Sequence, residues 1–255
     1  MRNLRAIVKL TALSLTTAAY YMLYVAGLPL AFVFPPSRLR LREYCCRKWA
    51  RVAARILGLQ LKAINGPPTA PFLLVSNHLS YIDVIVLQSQ LHCTFIAKSE
   101  VAGWPLLGII CRTMDTIFID RRVRRDIPSV LKKIEMALER GLGVVLFAEG
   151  TSTNGKGVAP FKSSLLEVAA INRVPVHYAS ISYLAPSNEV SAEESICWWG
   201  NMTFPDHLFR LLQLPSFEAR VVYGPEPIVA DDRRVLAASL WSAVSSQLTP
   251  AIAQR

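Results

Sequence analysis

From Leu10 to Pro36 the chain carries no charged side chain, and Arg2, Arg5 and Lys9 stand immediately before this run. The run is too long for the apolar part of most signal peptides, and no small-residue cleavage site follows it. As a helix, about 25 residues would reach roughly 37 Å, enough to cross a hydrocarbon core with tilt. Both flanks are basic, so the excess of positive charge gives no orientation. Pro29 interrupts the helix interior near one end. A re-entrant or obliquely inserted anchor with both ends cytoplasmic is therefore favoured over a simple crossing.

The next segment, Arg38 to Leu61, reads as an amphipathic helix. Arg47, Arg51 and Arg55 recur at four-residue steps, while Trp49, Val52, Ala53 and Ile56 occupy another face. An ordinary surface helix with a solvated stripe would show the same pattern. Placed directly after an apolar anchor, the pattern favours an interfacial helix that meets anionic headgroups. The formal charge of +10 supports this, because residues 1–65 hold eleven Lys and Arg against the single acid Glu43. The rest of the chain is neutral, with seventeen bases and seventeen acids. A nucleic-acid partner is not expected, since the basic residues flank a hydrophobic segment and accompany no recognisable binding motif.

The Asn65-Gly66-Pro67-Pro68 turn divides the chain into an N-terminal membrane anchor with its basic helix (residues 1–65) and a second domain (residues 66–255). Beyond the turn the pattern alternates. Strand-like runs lie near 71–76, 93–97, 116–119, 143–148, 175–183 and 218–223, and helical ones near 81–90, 127–140, 161–171 and 233–248. This predicts an α/β fold, a mostly parallel central sheet flanked by helices. The five cysteines form no metal-ligand spacing, and their odd number suggests reduced cytosolic thiols. No metal site is expected.

The chemistry concentrates after the first of these strands. Ser76-Asn77-His78-Leu79-Ser80-Tyr81-Ile82-Asp83 puts an imidazole and a carboxylate five residues apart. A neutral imidazole takes a proton from a hydroxyl only if its tautomer and orientation are fixed, and a nearby carboxylate fixes both. Five residues apart on one helix the two side chains would diverge by roughly 140°. They can meet if His78 lies in the loop and Asp83 in the first helical turn, with Ser80-x-x-Asp83 as a capping box. Asp83 as a mere cap and His78 as a loop residue fit this stretch alone equally well.

Three further segments complete a pattern: Thr116-Ile117-Phe118-Ile119-Asp120-Arg121, Gly143-Val144-Val145-Leu146-Phe147-Ala148-Glu149-Gly150-Thr151 and Val174-Pro175-Val176. With Asn77, His78 and Asp83, and in this order, they resemble the four sequence blocks of the PlsC-like glycerolipid and lysophospholipid acyltransferases, over roughly residues 70 to 185. Ala97-Lys98-Ser99-Glu100, Trp104-Pro105-Leu106-Leu107-Gly108 and Phe161-Lys162 also look like that family. The resemblance implies a glycerolipid-acyltransferase-like fold and acyl transfer from a thioester to a lysolipid hydroxyl. His78 would be the general base and Asp83 its orienting partner. No Gly-x-Ser-x-Gly elbow occurs, so no serine acyl-enzyme is indicated. The resemblance further implies that Arg121, Glu149, Gly150 and Thr151 hold a phosphate-bearing acceptor; an arginine and a Gly-containing turn suit that role. Lys162 would add charge there.

The third block departs from the common Pro-Glu-Gly-Thr-Arg form, with Ala148 and Ser152 at its ends. Losing that arginine removes a possible phosphate donor. The acceptor expected first is 1-acylglycerol 3-phosphate, giving phosphatidic acid. However, Thr153-Asn154-Gly155-Lys156 with Phe161-Lys162-Ser163-Ser164, and Trp198-Trp199-Gly200-Asn201-Met202-Thr203-Phe204, resemble a subset whose acceptors include other lysolipids, lyso-ornithine lipid first and lysophosphatidylcholine more distantly. A catalytically silent membrane scaffold is a third reading, disfavoured by the intact His78 and Asp83. Acyl-CoA or acyl-carrier protein would be co-substrate, with no other cofactor, and the location expected is the cytoplasmic face of the inner membrane.

Overall fold

The computed structural model describes residues 1–33, 36–120, 124–186 and 189–251. Among these residues the chain forms seven strands that build one sheet. They are β1 (Leu59–Ile64), β2 (Leu73–Ser76), β3 (Cys93–Lys98), β4 (Ile117–Ile119), β5 (Gly143–Phe147), β6 (Val176–Leu184) and β7 (Phe217–Tyr223). The spatial order is β1-β7-β6-β2-β5-β3-β4. Every neighbouring pair is parallel except β6 and β7, whose antiparallel register sets Ala179 opposite Tyr223. The helices are α1 (Arg2–Val33), α2 (Pro36–Leu57), α3 (Ile82–Gln88), α4 (Leu107–Thr113), α5 (Ile127–Glu139), α6 (Glu167–Ile171), α7 (Ala192–Ser195), α8 (Phe204–Gln213) and α9 (Arg233–Gln247).

The central strands β2 and β5 are almost wholly apolar because both sheet faces are covered. Successive side chains alternate between the faces. Leu74, Val145, Phe147, Ala179 and Ile181 join α3 and α8 in one core. Leu73, Val75, Val144, Leu146 and Val176 join α5, α6 and α9 in the other. Parallel strands aligned in this way deliver the ends of β2 and β5 to one edge, where Ser76 pairs with Phe147. The loops that follow these two strands carry His78 and Glu149.

The sheet differs from the sequence expectation at one edge. Residues 59–61, read as the end of a helix running from Arg38 to Leu61, begin β1, which pairs with β7 from Leu59↔Phe217 to Ile64↔Val222. The cause is Gly58, whose φ of +76° ends α2 and brings its backbone against Pro215, where a Cβ would collide. The sheet thus takes a strand from the segment before residue 66.

Helices α1 and α2 form a hairpin laid across the molecule. Near its start, Arg5 donates to the Gln213 carbonyl (2.7 Å), and Lys9 Nζ to the carbonyls of Leu57 and Leu214 (2.7 and 2.8 Å). Further along, the Tyr24 hydroxyl donates to Thr113 O at 3.2 Å. In α2 the buried Arg42 donates to the carbonyls of Met114 and Cys93, and Arg38 pairs with Asp115. Apart from Cys93, which opens β3, these carbonyls lie at helix C-termini, where they have no partner in their own helix. The outward side of α1 is apolar, with Leu4, Ile7, Val8, Leu15, Met22 and Leu30 exposed.

Candidate active site

The site is built where β2 ends. Asn77 is fully buried and clamps the loop to β6: its Nδ2 donates to Ile181 O (2.9 Å) and its Oδ1 accepts from Ile181 N (2.7 Å). The next residue, His78, turns outward with its side chain 22% exposed. Its ring lies on Phe147, with centroids 4.2 Å apart and planes inclined by 17°. Its Nδ1 meets Asp83 Oδ2 at 2.7 Å. His78 in the loop and Asp83 in the first turn of α3 therefore do converge.

Asp83 is 0% exposed, and four donors surround it. Oδ2 accepts from His78 Nδ1 and from the backbone N–H groups of Leu79 (2.7 Å) and Ser80 (3.0 Å). Oδ1 accepts from the Tyr183 hydroxyl at 2.7 Å. Only one half of the expected capping box is present, because the carboxylate reaches back to Ser80 N while the buried Ser80 hydroxyl has no partner among the described residues. A carboxylate so enclosed only accepts hydrogen bonds, so it fixes the proton of the neutral imidazole on Nδ1 and leaves Nε2 as the basic nitrogen.

Glu149 is 3% exposed and supports the His78 loop from behind. Its two oxygens accept from His78 N (2.6 Å) and from Ala159 N (2.7 Å). Burial pushes its carboxyl up to about 7, against the opposing pull of those two N–H groups and of His78. Expected as an acceptor ligand, Glu149 thus directs both oxygens to the backbone. Gly150 has φ +81°, and the Lys162 side chain lies over it, so a Cβ there would stand 2.8 Å from Lys162 Nζ. Lys162 and Thr151 are both exposed beside this turn. Arg121 lies outside the described residues. The Ser152 hydroxyl donates to the Trp198 carbonyl, and Trp198 N donates to Leu79 O at 2.8 Å. The segment around Trp198 is thereby fastened to the loop that carries His78.

Two contributors were not read from the sequence. Tyr183 is a hundred residues from Asp83, and only the β2–β6 register brings them together. Phe147 was placed in its strand without its role as the surface under His78. Tyr81, Trp104, Trp198 and Phe204 form an aromatic cluster next to this loop, with Tyr81 and Trp198 centroids 5.7 Å apart. His207 Nδ1 meets the Tyr81 hydroxyl at 3.0 Å; burial lowers this imidazole to about 4 and keeps it neutral. The described residues contain no cluster of His, Cys, Asp and Glu able to hold a metal ion.

An imidazole with one nitrogen fixed by a buried carboxylate and the other facing the surface is a general base for a hydroxyl. The comparisons with known proteins bear on the class of reaction. The family model described as Acyltransferase matches residues 61–182. A lyso-ornithine lipid O-acyltransferase of Pseudomonas aeruginosa is 31% identical over 236 residues, covering 92% of this chain and 88% of the relative. A 1-acyl-sn-glycerol-3-phosphate acyltransferase of Neisseria meningitidis serogroup B is 30% identical over 170 residues, covering 67% and 66%. The crystal structure of the 1-acyl-sn-glycerophosphate acyltransferase PlsC from Thermotoga maritima shares the fold, with a TM-score of 0.66, 20% identity, and coverage of 96% and 97%. The chain belongs to the PlsC-like acyltransferase family and is an O-acyltransferase.

Proposed function

We propose that the chain moves a fatty acyl group from acyl-CoA or acyl-carrier protein to the free hydroxyl of lyso-ornithine lipid, at the cytoplasmic face of the inner membrane. The observation that carries the chemistry is the 2.7 Å contact between His78 Nδ1 and the buried Asp83. His78 Nε2 takes the hydroxyl proton as the oxygen attacks the thioester carbonyl, and Asp83 stabilises the imidazolium that forms. When the C–S bond breaks, the imidazolium returns the proton to the departing thiolate, leaving an ester and a free thiol. Nothing is transferred to the protein itself. Glu149 holds the His78 backbone, and Lys162 beside Gly150 offers the acceptor headgroup a cation.

The choice of acceptor is supported by Ser152, which stands where many members carry an arginine and directs its hydroxyl to Trp198 rather than to a ligand. The matched lyso-ornithine lipid relative also spans more of the chain than the matched glycerolipid one. A second reading, 1-acylglycerol 3-phosphate converted to phosphatidic acid, is favoured by Lys162 over the Gly150 turn, a suitable phosphate contact. Membrane attachment is supported by α1. Arg5 and Tyr24 both bond to the catalytic domain, and about 28 Å of helix lies between them, nearly a hydrocarbon core's thickness. A helix held at both these points fits an anchor lying along the bilayer surface better than one crossing it.

The test offers each lysolipid separately, with labelled acyl donor, to membranes containing the protein or its His78→Ala variant. Selective acylation of lyso-ornithine lipid, abolished in the variant, is the expected outcome. Selective use of 1-acylglycerol 3-phosphate would establish the second reading. Near-normal turnover by a folded His78→Ala protein would remove the proposed base.

A further inference from the structure

Away from the His78 loop, α2, β1 and the turn after α3 border an open groove of about 390 Å3, lined by Arg47, Arg51 and Arg55, with Ala54, Leu59 and Pro67 as its apolar side. We propose that this groove is a binding site for a phosphate-bearing ligand, with the phosphodiester of an anionic lipid headgroup as the favoured source. The site is separate from the catalytic pair, which lies at the other end of α3: Asp83 stands in its first turn, whereas Ser89 follows its last.

Three observations support the assignment. The arginines occupy successive turns of one helix face, an arrangement of like charges that is unfavourable unless something neutralises it. Among the described residues none of the three forms a salt bridge with a carboxylate. Arg51 is also oriented: its Nε donates to Ser89 O at 3.0 Å, covering the negative end of α3 and leaving the two terminal nitrogens for a ligand. Arg47 is steadied by contact with His92, which in turn meets Glu43 at 3.1 Å. Arg55 makes no side-chain hydrogen bond among the described residues and is exposed.

The combination of fixed guanidinium groups with an apolar side suits a phosphate attached to carbon better than free inorganic anion. The exposed Arg40, Tyr44 and Lys48 continue along α2 from the groove, an extended cationic surface that favours a lipid bilayer over a soluble nucleotide. The lipid source rests on the membrane reading above; the phosphate chemistry does not.

The experiment compares the full chain with two double variants of equal charge, Arg51→Gln/Arg55→Gln in the groove and Arg40→Gln/Lys48→Gln beside it. Binding is measured to vesicles of phosphatidylcholine with and without phosphatidylglycerol. In parallel, adenosine 3′,5′-bisphosphate and inorganic phosphate are titrated in solution. The expected result is a phosphatidylglycerol-dependent affinity that falls at least tenfold further in the groove variant than in its control. Groove-dependent binding of the bisphosphate instead would uphold the phosphate site with a nucleotide as its source. Equal losses in the two variants would overturn the site while leaving membrane attachment intact. Failure of the unmodified chain to bind either vesicle type or any soluble phosphate would overturn both. Arg55→Gln alone, which breaks no bond in the structure, serves if the double variant does not fold.

Discussion

Replacing Asp83 with asparagine separates the charge of this residue from its architecture. The amide is isosteric. Its oxygen can occupy the position of Oδ2 and keep the three bonds from His78, Leu79 and Ser80, while its Nδ2 points at Tyr183, whose hydroxyl rotates from donor to acceptor. The fold and the imidazole tautomer therefore survive, and thermal stability should change by no more than about 1–2 kcal/mol. What disappears is the negative charge facing the imidazolium in the transition state. Opposite charges about 4 Å apart at an effective dielectric near 20 attract by roughly 4 kcal/mol. The partial exposure of His78 and the retained neutral hydrogen bond reduce this to about 2–4 kcal/mol, or roughly 30- to 1,000-fold in kcat. Asp83→Ala, by contrast, leaves four buried donors without an acceptor at about 1–3 kcal/mol each, and should not accumulate as folded protein. The assay is kcat and KM with purified protein in mixed micelles, beside thermal unfolding of the same samples. A folded Asp83→Asn enzyme within fivefold of the parent kcat would refute the electrostatic role and leave Asp83 as scaffolding alone.

Tyr183→Phe removes the one partner of Asp83 Oδ1, a bond to a buried charge worth about 1.5–3 kcal/mol, so Tm should fall by about 5 °C and kcat more than KM; an unchanged Tm would show that the hydroxyl is dispensable. For Glu149 the folded carboxyl is raised to about 7 from an ordinary 4.5, so between these values the folded chain holds a proton that the unfolded chain has lost. Stability from this group is therefore complete below about pH 4.5 and lost as pH rises through 7. Glu149→Gln should flatten that slope in Tm measured from pH 5 to 7.5, and a slope identical to the parent's would show that another group causes it. The same variant has one acceptor for the two N–H groups of His78 and Ala159, so kcat should drop about tenfold with little change in acceptor KM. A rise in KM alone would return Glu149 to the acceptor site.

Legibility varied with how local the cause was. Strands β2 and β5 were readable because every residue in them is buried, which forces continuous apolar runs. The pairing of His78 with Asp83 was readable only together with the other three sequence blocks, because the five-residue spacing alone fits a helix cap beside a loop histidine equally well. Strand β1 was not, since Leu59-Gln60-Leu61-Lys62 continues the amphipathic character of α2 and becomes a strand only through β7, more than 150 residues later. The roles of Tyr183 and of the Glu149 oxygens were hidden for the same reason: each depends on a partner supplied by sheet register, which no local pattern encodes. Helices α4 and α8 carry little local helical signal, because proline-bearing segments precede or open them.

Strand β1 bears on how this protein can be divided. The hairpin does not hang from a finished enzyme; it ends in the strand that covers β7. Cutting before residue 66 would strip that cover and bare the backbone donors and acceptors of Phe217–Tyr223, whose side chains alternate between buried and half-buried. An uncovered strand of that kind recruits a neighbour from another chain. The helical hairpin and the sheet that carries His78 thus share one structural unit, and the shortest stable form of this enzyme has to keep β1 even if α1 is replaced.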